Sequence, residues 1–154
     1  RDLKTRINRL EKEIIACHRK NPESKRLATI PGIGPITASA LSATITDASQ
    51  FSSGRQMAAW LGLVPRQNSS GGKERLGRIT KQGDKYLRQL LVIGATSMLG
   101  VVNKRKTPDD DWVIALLQKK PPRLVTVALA NKMARIAWAI MTRKEIYKVR
   151  EIRA

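Results

Sequence analysis

The chain has 154 residues, room for one domain with an appended helix. Thirty Lys and Arg stand against 12 Asp and Glu, a formal charge of +18, which points to a polyanionic partner, nucleic acid first. A single cysteine, Cys17, excludes an intramolecular disulfide and a zinc knuckle, and a single histidine, His18, argues against a Ser-His-Asp triad. Hydrophobic residues make up 42% but aromatics 4%, so the core must be built from Leu, Ile, Val, Ala and Met, a palette that favours packed helices. Lys132 and Arg135 break the longest apolar stretch, so no bilayer span and no membrane partner is expected. With no signal-peptide pattern and Arg1 already inside a helical pattern, the chain reads as a piece of a longer intracellular protein.

Residues 2–20 predict a polar helix. Leu3, Ile7, Leu10, Ile14 and Cys17 are spaced 4, 3, 4, 3, the seam of a heptad pattern. Two readings stay open: a surface helix packed on its own domain, or the end of a coiled coil. Residues 1–21 form this unit, residues 22–143 the main domain, and residues 144–154 a basic tail expected to fray.

Asn21 and Pro22 carry the cap and first-position signals of a short helix running to about Thr29. Next comes Leu27-Ala28-Thr29-Ile30-Pro31-Gly32-Ile33-Gly34-Pro35-Ile36-Thr37-Ala38, which resembles a helix-hairpin-helix motif. Glycine at positions 32 and 34 opens backbone angles closed to other residues and lets a phosphate approach the main chain. The N–H groups at the start of the following helix favour an anion. Gly32, Gly34 and Thr37 are therefore candidate nucleic-acid contacts, with Leu27, Ile30 and Ile33 pinning the turn to the core; a purely structural turn is the alternative. A helix to about Ile45 follows, then one capped by Ser52 or Ser53 and containing Met57 and Trp60. Trp60 and Trp138 are expected in the core.

Residues 62–83 are polar, Gly-rich and basic, and predict a long loop or a β-hairpin. Arg66, Lys73, Arg75, Arg78, Lys81 and Arg88 are candidate phosphate contacts in and beside this window. Ser69 and Ser70 lie at its centre. A hydroxyl among guanidinium and ammonium groups can attack a phosphodiester while the cations neutralise charge at phosphorus. Composition alone favours a loop that binds phosphate without chemistry.

Asp84 caps a helix over about 85–102, with Leu87, Leu90, Leu91, Ile93, Met98 and Val101 expected to be largely buried. A charged connector, residues 103–111, includes Thr107-Pro108-Asp109-Asp110, read as a helix start whose carboxylates complement the dipole rather than as a metal site. Helix 109–119, Pro121-Pro122 and a long apolar-faced helix over about 123–143 complete the domain. The fold class is thus all-α: a helical domain with a helix-hairpin-helix motif and a basic Ser/Gly-rich loop or hairpin.

The order of these motifs resembles the C-terminal domain of the IS110/IS1111/IS116/IS902 family of DNA transposases. The resemblance rests on Ala28–Gly34, Ala59-Trp60-Leu61-Gly62-Leu63-Val64-Pro65-Arg66, Ser69-Ser70-Gly71-Gly72-Lys73 and Leu76–Asp84, and continues at Leu87-Arg88 and Ala130–Trp138. It covers about residues 25–142. It implies a cytoplasmic, nucleoid-associated enzyme that moves DNA as a homo-oligomer, in some members directed by a structured guide RNA. It also implies an N-terminal RuvC-like domain with carboxylates that bind Mg2+. That domain is not in these residues, so no cofactor is expected here and the isolated segment is expected to be inactive. The family's serine, which links covalently to DNA, follows the proline by five residues and precedes a glycine. From Pro65 this is Ser70, followed by Gly71, with Ser69 as the fallback. A helix-hairpin-helix module that binds DNA or RNA without chemistry is the alternative.

Overall fold

A computed structural model describes residues 1–105 and 110–149; for residues 68–70, 73–76, 103 and 105 it describes the backbone alone. Among the described residues seven α-helices and one two-stranded hairpin follow in the order α1 (Asp2–Lys20), α2 (Pro22–Leu27), α3 (Pro35–Thr44), α4 (Gly54–Trp60), β1 (Pro65–Ser70), β2 (Lys73–Ile79), α5 (Lys85–Arg105), α6 (Asp110–Leu117) and α7 (Pro122–Arg143). The all-α class expected from the sequence is observed, with the hairpin its small β element. The Thr107–Asp109 part of the proposed α6 start lies outside the described residues. Asp110 itself is buried in the first turn of α6.

Three helices, α2, α4 and α5, start where a side chain accepts from orphan N–H groups. The Asn21 side chain accepts from Glu23 N and Ser24 N, Ser53 from Gln56 N, and Asp84 from Leu87 N at 2.8 Å. Pro22, Pro35 and Pro122 occupy first-turn positions where a missing N–H costs nothing.

The core forms around α7. Val125, Leu129, Ala130, Met133, Ala134, Ala137, Ile140 and Met141 are buried along it. α5, with Leu87, Leu91, Ala95 and Val102, and α4, with Met57 and Ala58, pack on this helix. By length and composition α7 could cross a bilayer, a property the sequence reading had denied it, but here it is the core helix. In α5 the expected burial holds for Leu87 and Leu91, whereas Ile93 is 62% exposed and Leu90, Met98 and Val101 are partly buried. Gly94, one residue on from Ile93, meets the α2–α3 turn: a Cβ at Gly94 would lie 2.1 Å from Gly32 O.

The N-terminal part of the α1 seam does not pack on the domain. Leu3, Ile7 and Leu10 are exposed, and no residue of α1 is buried. Its C-terminal end docks on α2 and α3. There His18 Nδ1 lies 2.7 Å from Ser24 Oγ, and Asn21 Nδ2 donates to Ser42 Oγ at 3.3 Å. His18 is thus part of the joint between α1 and the domain. The tail also differs from expectation. Lys144 takes a left-handed conformation (φ 56°) that ends α7, and Tyr147 N donates to Thr29 Oγ1 at 2.9 Å, so residues 144–149 fold back toward the α2–α3 turn.

Candidate nucleic-acid interface

The central basic segment is a hairpin. β1 and β2 pair antiparallel, Ser70 opposite Lys73, Ser69 opposite Glu74, Asn68 opposite Arg75 and Gln67 opposite Leu76. Gly71 and Gly72, at φ 65° and 76°, form the two-residue loop; two consecutive positive φ values are what a hairpin turn of this type demands. Side chains alternate between faces of a ladder. Positions 68, 70, 73 and 75 therefore share one face, and positions 67, 69, 74 and 76 the other. A register irregularity between Pro65 and Gln67 falls on Arg66, whose guanidinium donates to Thr80 O at 3.4 Å.

Among the described residues the strands pack on each other and on no helix, so the hairpin projects from the domain. Its base is tightly built. Gly62 (φ 73°) and Gly83 (φ 85°) cross: a Cβ at Gly62 would stand 2.2 Å from Gln82 O, and one at Gly83 1.8 Å from Trp60 O. Arg88 Nη1, from the first turn of α5, donates to Leu61 O at 3.1 Å and to Gln82 O at 3.2 Å. Asn131 Nδ2 of α7 donates to Leu63 O at 3.0 Å. Arg88, expected as a phosphate contact, ties together the two chain segments at the hairpin base. Asn131 carries the same kind of role, and the sequence signalled it merely as a polar residue on an apolar helix face.

Arg66, Arg78 and Lys81 are exposed along the hairpin and its exit, as a phosphate-facing surface requires. The predicted glycines divide. Gly32 (φ 86°) needs its glycine for the backbone and for packing, since a Cβ would meet Met133 Cε and Met98 Cγ at 2.9 Å. Gly34 has φ −91°, which any residue adopts, and faces open space just before α3. Thr37 is 8% exposed within the first turn of α3. The turn therefore offers an open backbone at Gly34, while Gly32 is held against α5 and α7. Trp60, expected in the core, is 39% exposed and tilts on Phe51 with ring centroids 5.4 Å apart. Trp138 is half-buried and donates from Nε1 to Ala48 O and Phe51 O at 3.2 and 3.3 Å.

Residues 24–109 match the family model described as Transposase IS116/IS110/IS902 family. The chain belongs to this transposase family. It is 50% identical to a probable family 20 transposase of Pseudomonas aeruginosa over 146 residues, 95% of this chain and 43% of that protein. It is 42% identical to the transposase for insertion sequence element IS1111A of Coxiella burnetii, over 92% of this chain and 39% of the relative. The pilin gene-inverting protein of Moraxella bovis is 30% identical over 79% of this chain and 37% of its own length. The chain spans about two-fifths of the length of these curated relatives.

Proposed function

We propose that this segment is the DNA-binding, serine-bearing part of a transposase or recombinase that cleaves and rejoins strands through a phosphoserine link. The observation that carries the reading is the placement of Ser70. It flanks the glycine turn of a basic hairpin that projects from the domain, in a chain of a transposase family. The register favours Ser70 over Ser69, because position 70 shares its face with Lys73 and Arg75 while position 69 stands opposite Glu74. Cations on the nucleophile's face stabilise the charge that develops on phosphate oxygens.

In the proposed step the Ser70 hydroxyl oxygen bonds to phosphorus and the bond from phosphorus to one strand oxygen breaks. The serine proton goes to a general base and is returned to the departing strand oxygen. The reverse exchange rejoins the strand, so one phosphodiester replaces another and no ATP is consumed. A serine hydroxyl needs activation. His18 is engaged with Ser24 at the α1–α2 joint, so the base is supplied from elsewhere. Among the described residues no group of three or more His, Cys, Asp or Glu comes together. The Mg2+ that the resemblance implies belongs, in this proposal, to a RuvC-like domain outside these residues, and no step here is routed through it.

The exposed backbone ahead of α3 at Gly34 and the exposed Arg66, Arg78 and Lys81 would grip duplex backbone without reading sequence. Such a protein would work in the cytoplasm at the nucleoid, with a structured guide RNA where the family uses one. The exposed Leu3-Ile7-Leu10 seam would pair copies of α1. The test is Ser70→Ala in a full-length protein carrying this segment. The covalent protein–DNA adduct and recombination are lost while duplex affinity changes less than about two-fold, since one hydroxyl adds little to a charge-dominated affinity. An adduct that persists in Ser70→Ala and vanishes in Ser69→Ala moves the chemistry to the neighbouring serine. One that persists in both leaves the hairpin a binding element without chemistry.

A further inference from the structure

A second basic surface lies in the domain body and shares no residue with the hairpin. α7 presents Lys132, Arg135, Ile136, Ala139 and Arg143 at helical spacing along one side of a cleft of about 740 Å3. Ser53, Gly54 and Arg55 at the start of α4 form a second wall, and residues 145–148 of the returning tail a third. The walls are fixed in place. A Cβ at Gly54 would meet Arg135 Cα and O at 3.1 Å, so α4 touches α7 backbone to backbone there. The left-handed turn at Lys144 and the bond from Tyr147 N to Thr29 Oγ1 hold the tail over the end of α7.

The lining has two chemistries. Arg55, Lys132, Arg135, Arg143 and Lys148 bring five cations, opposed by the single carboxylate of Glu145. Among the described residues none of these five has a carboxylate within ion-pair distance; the ion pair present, Arg9–Glu13, is on α1. Between the cations the cleft is apolar and aromatic, with Ile136, Ile140, Ile146, Trp138 and Tyr147. The Trp112 ring, 41% exposed, lies 4.7 Å from Lys132 Nζ and continues the aromatic edge beyond the cleft.

We infer that this cleft binds an unpaired nucleic-acid strand. A strand alternates an anionic phosphate with a flat apolar base, the same alternation as the lining, and grooves that combine cations with aromatic faces hold single strands. A cleft of this volume suits a drug-sized or nucleotide-sized body. A duplex, with its bases stacked inside and its phosphates on a convex surface, cannot offer bases to it. An acidic peptide would satisfy the cations and leave the aromatic lining unused. The inference stands on the cleft alone and does not depend on the chemistry proposed for Ser70.

The test is fluorescence anisotropy with labelled oligo(dT), oligo(rU) and a blunt duplex, on the 154-residue chain. Arg143→Glu with Lys148→Glu, both exposed positions, weakens binding of oligo(dT), of oligo(rU) or of both by about ten-fold or more and changes duplex binding by less than about two-fold. Arg55→Glu, on the α4 wall, does the same, and circular dichroism verifies that each variant keeps the wild-type helix signal. Tyr147→Ala weakens single-strand binding without changing its salt slope, because it removes a stacking face and no charge. Equal loss for DNA and RNA assigns recognition to phosphate and base alone; a larger loss for RNA adds the 2′-hydroxyl. Single-strand binding that survives both charge reversals overturns the inference, as does polyglutamate that competes as well as oligo(dT). Arg75→Ala with Arg78→Ala tests the hairpin separately: unchanged duplex binding there removes the hairpin footprint and leaves the cleft result standing.

Discussion

Arg88, a candidate nucleic-acid contact by its place beside the basic window, also has work inside the fold. Its guanidinium satisfies two carbonyls that belong to opposite sides of the hairpin base. Arg88→Ala leaves both without that donor, and the expected loss is about 1–3 kcal/mol in urea unfolding. Faster amide exchange across residues 61–63 and 80–82 would accompany it; unchanged exchange at the base would remove the positioning role. Asp47 offers a separate test of local geometry. Its carboxylate accepts from Ser49 Oγ at 2.6 Å and from Ser49 N at 2.9 Å, and these bonds, the hydroxyl's first, hold its pKa below the ordinary 3.8. A lowered folded-state pKa contributes stability that is present above the unfolded value and is lost as pH falls through the folded one. Ser49→Ala should move the Asp47 titration, followed by NMR, up toward 3.8. An unmoved titration would mean that the hydroxyl is not its main cause.

At the scale of elements, the caps were readable because they are local. Asn21, Ser53 and Asp84 hold orphan N–H groups two or three residues away, and a single sequence displays that spacing. Asn21 also reaches Ser42 on α3, so Asn21→Ala should cost about 1–2 kcal/mol by thermal or urea melting. A loss near zero would show the cap replaced by water. The Gly71-Gly72 pair was likewise a local signal for a hairpin turn, yet the same stretch allowed an open loop. Its polar sequence carries no hydrophobic alternation that would specify one pairing. What a single sequence hides is contact between distant segments. Gly32 reads as a phosphate-approach glycine until Gly94 and Met133, far along the chain, are seen against it. Ile93 reads as core from its apolar neighbours until the packing of α5 leaves it exposed. The tail reads as frayed because nothing near Tyr147 announces Thr29. Ser70 is a candidate through the motif order alone, and its pairing with Lys73 across the turn needed the register.

For the molecule as a whole, charge sets the response to salt. Duplex affinity should fall with a log–log slope of about 0.9 per phosphate neutralised, measured by anisotropy across a salt series. Arg75→Ala with Arg78→Ala should make that slope shallower by up to about two contacts' worth. A slope near zero, or one unchanged in the double variant, would place the grip elsewhere. The +18 charge is spread over hairpin, cleft and α1, so net charge alone identifies a polyanion without locating it.

The crossing of Gly62 and Gly83 has a topological consequence. The chain departs from the helical body and rejoins it at one point, with Gly62 N–Cα–C lying against Gln82 and Lys81 N donating to Gly62 O at 3.1 Å. The ends of the excursion are therefore already closed by the body, and the length of what hangs between them carries little entropic penalty. Selection can lengthen, shorten or rewrite the excursion without renegotiating the helices beneath it. The hairpin tip can in this way evolve as a detachable tool on a fixed handle.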